Sequence, residues 1–228
     1  MTQLVIFDFD GTLFDTHNSI EQTIKQTFTT LLPLHTPPDS SIHRLISSGA
    51  GLADTFRSLH PTPETFTPDT ETEWISTYRT LYATHGQSLI AAFPGAQKLL
   101  CELKNRNILT AIISNKGVAA VKTALERNNL QGLVPEDLII GDKTPGAARK
   151  PDPSAFENVV VPALRSKGVQ VDPERVLVVG DTVADILFAR NIGARACWCR
   201  YGYGDRSACE DLKPGFVVDS LEGVLGLL

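Results

Sequence analysis

Short, continuously apolar runs alternate along the chain with stretches whose apolar residues recur every three or four positions. Residues 4–7, 109–113, 138–140, 175–179, 195–198 and 216–218 are strand-like, and most are apolar throughout rather than at alternate positions. Continuous apolarity implies burial on both faces, as in a parallel sheet covered by helices. Between the runs, Val118, Val121 and Leu125 form one helical stripe, and Ile186, Leu187, Arg190 and Ile192 belong to a second helix closed by Gly193. Leu221, Val224, Leu225 and Leu228 give a terminal helix. Residues 154–166 carry helical spacing through Phe156, Val159, Val160, Ala163 and Leu164, but Pro162 should kink or split that helix. The pattern predicts an α/β protein built on a doubly wound parallel sheet.

Residues 16–89 break this alternation. They hold no convincing strand and are rich in Thr, Ser and Pro between helical patterns. Ile20, Ile24, Phe28 and Leu31 form one amphipathic stripe, and Trp74, Tyr78, Leu81 and Tyr82 form another that could pair with it antiparallel. The expectation is an all-helical insert at 16–89 within a core made of 1–15 and 90–228, with Phe93-Pro94-Gly95 marking the return. The Thr/Pro-rich residues 60–72 read as an exposed loop.

With 228 residues, 42% of them hydrophobic, the chain can bury a sizeable core. A net charge of -5 without a Lys/Arg block argues against a nucleic acid or a membrane surface held by bulk electrostatics. An anionic ligand must therefore be captured locally. The four cysteines, Cys101, Cys197, Cys199 and Cys209, form no CxxC pair and read as small buried or half-buried residues of a reduced, cytoplasmic protein. The first strand begins too early for a signal peptide, and no apolar run approaches the ~20 residues of a membrane span. His17, His35, His43, His60 and His85 all fall in the insert, show no metal-ligand spacing, and read as surface residues.

The chemistry concentrates at the ends of the strand-like runs. Asp8-Phe9-Asp10-Gly11-Thr12 follows the first, and side chains two apart on an extended strand share a face, so both carboxylates can converge on one atom or ion. Two such carboxylates at a core edge repel each other and resist desolvation, which calls for a divalent cation or a shared proton. Ser114-Asn115 follows the second run and is expected to precede a helix N-terminus, a site for an anion. Lys150-Pro151-Asp152-Pro153 holds one ammonium in a stiff loop, with Lys143 as a competing candidate, and Gly180-Asp181-Thr182-x-x-Asp185 follows another run. Ligands of open parallel sheets bind beyond the carboxyl ends of the strands, so segments spanning residues 8 to 185 can meet there. Asp8, Asp10 and Asp181 suit Mg²⁺, while a Ser hydroxyl, backbone N–H groups and a Lys suit a phosphoryl group.

In this order, DxDGT, Ser-Asn, Lys-Pro and the Gly-Asp-x-x-x-Asp segment resemble the four motifs of the haloacid dehalogenase-like phosphatases. The insert is similar to that family's helical C1 cap, and residues 7–16 with Tyr201-Gly202-Tyr203-Gly204 are most similar to its phosphoglycolate phosphatase branch. The resemblance implies that Asp8 attacks phosphorus and that Asp10 serves as general acid and base. It further implies that Ser114 and the Asn115 backbone hold phosphate oxygens, that Lys150 balances charge, and that Asp8, the Asp10 carbonyl and Asp181 ligate Mg²⁺, with Asp185 a ligand or its support. Arg44 and Lys116 are candidates for further substrate contacts. The implied substrate is a small phosphorylated metabolite, and the implied state a monomer or homodimer.

Taken singly, each motif has a plainer reading. Asp8 and Asp10 could be a strand-end turn, Ser114-Asn115 a helix cap, Lys150 a solvated lysine, and Asp185 a first-turn acid. Other activities on the same scaffold stay open. A dehalogenase has no use for Asp10 and Asp181, and a phosphonatase needs a lysine in the insert, where Lys25 is the only one. A sugar-phosphate mutase or a non-catalytic regulatory relative are the remaining alternatives.

Overall fold

The computed structural model describes residues 1–228, and the chain divides into two compact units, Met1–Asp15 with Ala91–Leu228, and Thr16–Ile90. Strand β1 (Leu4–Phe7) and the two-residue β2 (Phe14–Asp15) precede the helical unit, whose helices are α1 (His17–Leu31), α2 (Asp39–Ser47), α3 (Leu52–Leu59) and α4 (Pro68–Thr84). The core then resumes with β3 (Ala91–Ala92), α5 (Ala96–Asn105), β4 (Leu109–Gly117), α6 (Val118–Arg127) and β5 (Ile139–Asp142). It ends with α7 (Val161–Ser166), β6 (Val176–Gly180), α8 (Val183–Asn191), β7 (Arg195–Cys199), α9 (Arg206–Asp211), β8 (Phe216–Val218) and α10 (Leu221–Val224).

The main sheet has six strands in the order β5-β4-β1-β6-β7-β8, all parallel. The chain winds from β1 through β4 to β5 on one side, then returns to β6 and winds through β7 to β8 on the other. The carboxyl ends of β1, β4 and β6 therefore stand side by side at the point where the winding reverses. Every residue of β1 and β6 is buried, which explains their unbroken apolarity. On one face Leu4, Ile6, Ala111, Ile113, Val176 and Val178 pack with Phe156, Leu164, Phe188 and Ala189.

Three local outcomes depart from the expectations. The segment before Pro162 is wound as a π-helix over Ala155–Val160 and becomes α-helical only from Val161, because proline offers no N–H to the preceding turn. The Phe14–Asp15 and Ala91–Ala92 segments pair antiparallel, Phe14 opposite Ala92, in a ladder too short for periodicity to reveal. Residues 60–72 are not one loop: α4 starts at Pro68, with Thr67 as its N-cap accepting from the Thr70 N–H at 3.2 Å. Cap followed by Pro at the first helical position is a readable start signal that the Thr/Pro bias obscured.

In the helical unit, α1 buries Ser19, Thr23, Ile24, Thr27 and Phe28, so its inward stripe is more polar than the Ile20-Ile24-Phe28-Leu31 series. The hydroxyls are satisfied in place, Thr23 donating to the Ser19 carbonyl at 2.7 Å and Thr27 to the Thr23 carbonyl at 2.8 Å. Phe28, Phe56, Trp74 and Tyr78 form the aromatic centre of this unit, with Phe56 ring centroids 6.1, 5.3 and 5.7 Å from the other three. The histidines are not simply surface residues. His17, His35 and His60 are half-buried, His60 packs on Phe66 and Trp74, and His17 and His43 come together. Replacing the fully buried Phe56 by Ala is expected to destabilise the helical unit by about 3–5 kcal/mol. Urea unfolding followed through Trp74 fluorescence in a Trp198→Phe background measures it.

Candidate active site

Within the core unit, Asp8 directly follows β1, and its N–H donates to the Val179 carbonyl of β6 at 2.8 Å. Asp181 directly follows β6, and Asp185 lies in the first turn of α8. Asp8, Asp181 and Asp185 are buried and offer carboxylate oxygens that all lie within 4.8 Å of one another. Lys150 is buried with them, its Nζ 2.5 Å from Asp8 Oδ1 and 2.6 Å from Asp185 Oδ1. Three carboxylates against one ammonium leave two negative charges uncompensated when all are ionised. Burial therefore lifts the Asp8 carboxyl to about 7, against the pull of Lys150 and with the repulsion of Asp185 and Asp10 added. Burial, then Asp8 and Asp185, likewise push Asp181 well above its ordinary value, opposed by donors from Tyr203 and Thr12. For Lys150, burial works against the charge, but Asp185 and Asp8 outweigh it and the ammonium is held above its ordinary value.

The backbone around the acids is shaped to hold them. Gly11 has φ +77°, and a Cβ there would stand 2.3 Å from Asp181 Oδ2. Thr12 Oγ1 donates to Asp181 Oδ1 at 3.1 Å, while the N–H groups of Tyr203 and Gly204 donate to Oδ2 at 3.1 and 3.2 Å. A Cβ on Gly202 would sit 2.2 Å from the Asp181 Cβ, and one on Gly204 2.2 Å from its carbonyl oxygen. The Tyr201 hydroxyl closes the arrangement by donating to the Thr12 carbonyl at 2.8 Å. Two of the three donors to Asp181 are backbone N–H groups, which carry no residue signature in the sequence. The Tyr-Gly-Tyr-Gly spacing was its only trace. Asp185 is fixed by Thr182, whose N–H and hydroxyl donate to Oδ2 at 3.0 and 2.7 Å.

Ser114 and Asn115 precede a helix, as expected, but do not adjoin its N-terminus. Strand β4 runs on to Gly117 through a register shift after Ile113, and α6 begins only at Val118. The buried Ser114 accepts from the Lys116 N–H at 3.2 Å. The Asn115 side chain serves the lysine loop, its Oδ1 accepting from the Lys150 N–H at 2.8 Å. Lys116 reaches Asp10, Nζ to Oδ1 at 2.9 Å, and Asp10 is not one of the three acids whose carboxylate oxygens cluster within 4.8 Å. Lys143 shares with Ser114, Asn115, Asp142 and Arg149 the lining of a cleft of about 240 Å³; Lys150, not Lys143, meets Asp8. Arg44 is exposed on α2 of the helical unit.

A buried cluster of hard oxygen donors with two more carboxyl groups than ammonium groups fits a divalent cation such as Mg²⁺. Over residues 5–199 the chain matches the family model of haloacid dehalogenase-like hydrolases. The chain belongs to that family. As a haloacid dehalogenase-like hydrolase it is 26% identical over 226 residues to a phosphoglycolate phosphatase of Vibrio cholerae, covering 98% of this chain and 95% of that protein. It is 25% identical over 224 residues to the pyrophosphatase PpaX of Oceanobacillus iheyensis, covering 98% and 95%. A solved haloacid dehalogenase-like protein of Streptococcus pneumoniae shares the fold, with a TM-score of 0.80 at 24% identity, over 99% of this chain and 98% of that one. No helix of this hydrolase is long and apolar enough to cross a membrane.

The raised Asp8 value has a sign that can be tested. An unfolded Asp titrates near ~3.9, so between about 4 and about 7 the folded chain holds a proton that the unfolded chain has lost. The Asp8 contribution is fully present below about 4 and is lost as pH rises through about 7. Without divalent cations, thermal melts across that window should show stability falling with pH, with a shallower fall in Asp8→Asn. An equally steep fall in that variant would remove Asp8 as its source. Gly204→Ala should weaken Mg²⁺ binding by displacing Asp181, which calorimetric titration would detect.

Proposed function

We propose that this hydrolase is a Mg²⁺-dependent phosphatase of small phosphate monoesters, phosphoglycolate among them, acting through an aspartyl phosphate. The observation that carries the reading is the buried Asp8–Lys150–Asp185 bridge beside Asp181, which gathers three carboxyl groups around a single ammonium. Asp8, the Asp10 carbonyl and Asp181 would hold Mg²⁺, with Asp185 as ligand or support. When bound, the ion would neutralise charge between the Asp8 carboxylate and an approaching phosphoryl group.

Asp8 attacks phosphorus and the bond to the leaving oxygen breaks, with Asp10 supplying the proton that oxygen takes up. Water then attacks the aspartyl phosphate, Asp10 accepts its proton, and inorganic phosphate leaves. Asp10 exchanges its pairing with Lys116 for the leaving group, and Lys116 meets the phosphate together with Ser114 and the Asn115 N–H. Lys150 keeps Asp8 oriented throughout. In this reading the helical unit is a cap, and Arg44 is the candidate for a second anionic group of the substrate, such as the carboxylate of phosphoglycolate. Lys25 does not suit Schiff-base chemistry, since hydrogen bonds to Asp39 and Glu21 raise its ammonium above the ordinary value.

Purified protein should hydrolyse phosphoglycolate faster than pyrophosphate or sugar phosphates, lose turnover in excess EDTA and recover it with Mg²⁺. Asp8→Asn should lower kcat by about 10⁴-fold or more, the scale of losing a nucleophile. Undiminished turnover in EDTA, or wild-type rates in Asp8→Asn, would overturn the reading. Arg44→Ala should raise KM for phosphoglycolate more than for a phosphate ester without a second anion.

A further inference from the structure

The helical unit brings together a second set of ligand-forming side chains, distinct in chemistry from the carboxylates of the core. His17 and Glu21 are one helical turn apart on α1, and His43 reaches them from α2. His43 Nε2 lies 3.1 Å and His17 Nδ1 3.8 Å from the same oxygen, Glu21 Oε2, and the two imidazole rings stand edge to face with centroids 4.8 Å apart. One ligand atom from each residue lies within 4.8 Å of the other two. We propose that His17, Glu21 and His43 form a binding site for a divalent transition-metal ion of the Zn²⁺ type.

The donor set selects the class of ion. Two imidazole nitrogens and one carboxylate oxygen suit Zn²⁺ and its borderline neighbours, whereas Mg²⁺ prefers oxygen alone. Distances agree as well. Tetrahedral bonds of ~2.0–2.1 Å place donor atoms about 3.3 Å apart, so 3.1 and 3.8 Å need adjustments of only about half an ångström. Charge also agrees. Lys25 bridges Glu21 Oε1 at 2.6 Å and Asp39 at 2.8 Å, so one ammonium faces two carboxylates and the group keeps a net negative charge. The same lysine holds the Glu21 carboxylate in place from behind, leaving Oε2 directed at the two rings. Side-chain exposures of 27% for His17, 15% for Glu21 and 48% for His43 leave the site sheltered but open to an ion from solvent. With three protein ligands, a fourth position stays open for water. A bound ion would tie α1 to α2.

The test is calorimetric titration of Zn²⁺ into the full chain in excess Mg²⁺, which occupies the core carboxylates. The wild type should bind one equivalent that His17→Ala and His43→Ala each weaken by about tenfold or more, while Asp181→Asn retains it. Zn²⁺ should also raise Tm in the wild type and not in the double histidine variant. His43 is half exposed, so His43→Gln keeps the fold if an alanine variant does not. Equal Zn²⁺ affinity in the wild type and the double variant, or loss of the equivalent in Asp181→Asn alone, would overturn the proposal.

Discussion

Lys150 touches both Asp8 and Asp185 while almost excluded from water, and the rest of the core unit is arranged around keeping it there. A buried ion costs several kcal/mol to desolvate, and only close, well-directed partners offset that cost. The ammonium and its two partners come from three different segments, the loop after β5, the end of β1 and the first turn of α8. Each is fixed by its own local chemistry: the Asp8 N–H on β6, the Asn115 side chain on the Lys150 backbone, and the Thr182 donors on Asp185. A parallel sheet whose winding reverses beside β1 is what brings these ends together.

The bridge is deliberately unbalanced. One ammonium cannot neutralise three clustered carboxylates, and burial first, with their mutual repulsion added, displaces Asp8 and Asp181 upward. Asp181 is kept in place by donors that bear no formal charge, the N–H groups of Tyr203 and Gly204 and the Thr12 hydroxyl. These orient the carboxylate without cancelling it. The site therefore favours positive charge, in keeping with the divalent cation and phosphoryl group of the proposed function.

The two units differ in how they handle polar groups. The core concentrates ionisable side chains beyond the carboxyl ends of its central strands. The helical unit hides Ser and Thr hydroxyls along α1 by returning them to the backbone, and gathers its aromatic rings around Phe56. That economy makes α1 look less apolar in sequence than it is in packing. It also leaves the Glu21–Lys25–Asp39 group and its neighbouring histidines as the conspicuous polar cluster of that unit.

The sequence by itself determined the α/β class, the positions of the six parallel strands and the segments that carry Asp8, Asp10, Ser114, Lys150 and Asp181, because burial on both faces and strand-end motifs are local properties of the chain. It did not determine what these groups touch. That Asn115 pins the Lys150 backbone, that Lys116 rests on Asp10, that Tyr203 and Gly204 cradle Asp181 and that His43 meets Glu21 were decided by tertiary structure. Each of these contacts joins residues far apart in the chain or depends on a backbone donor common to all residue types. Spacing along a sequence carries information about neighbours on one element. Contacts between elements exist only once packing has set their distance and direction.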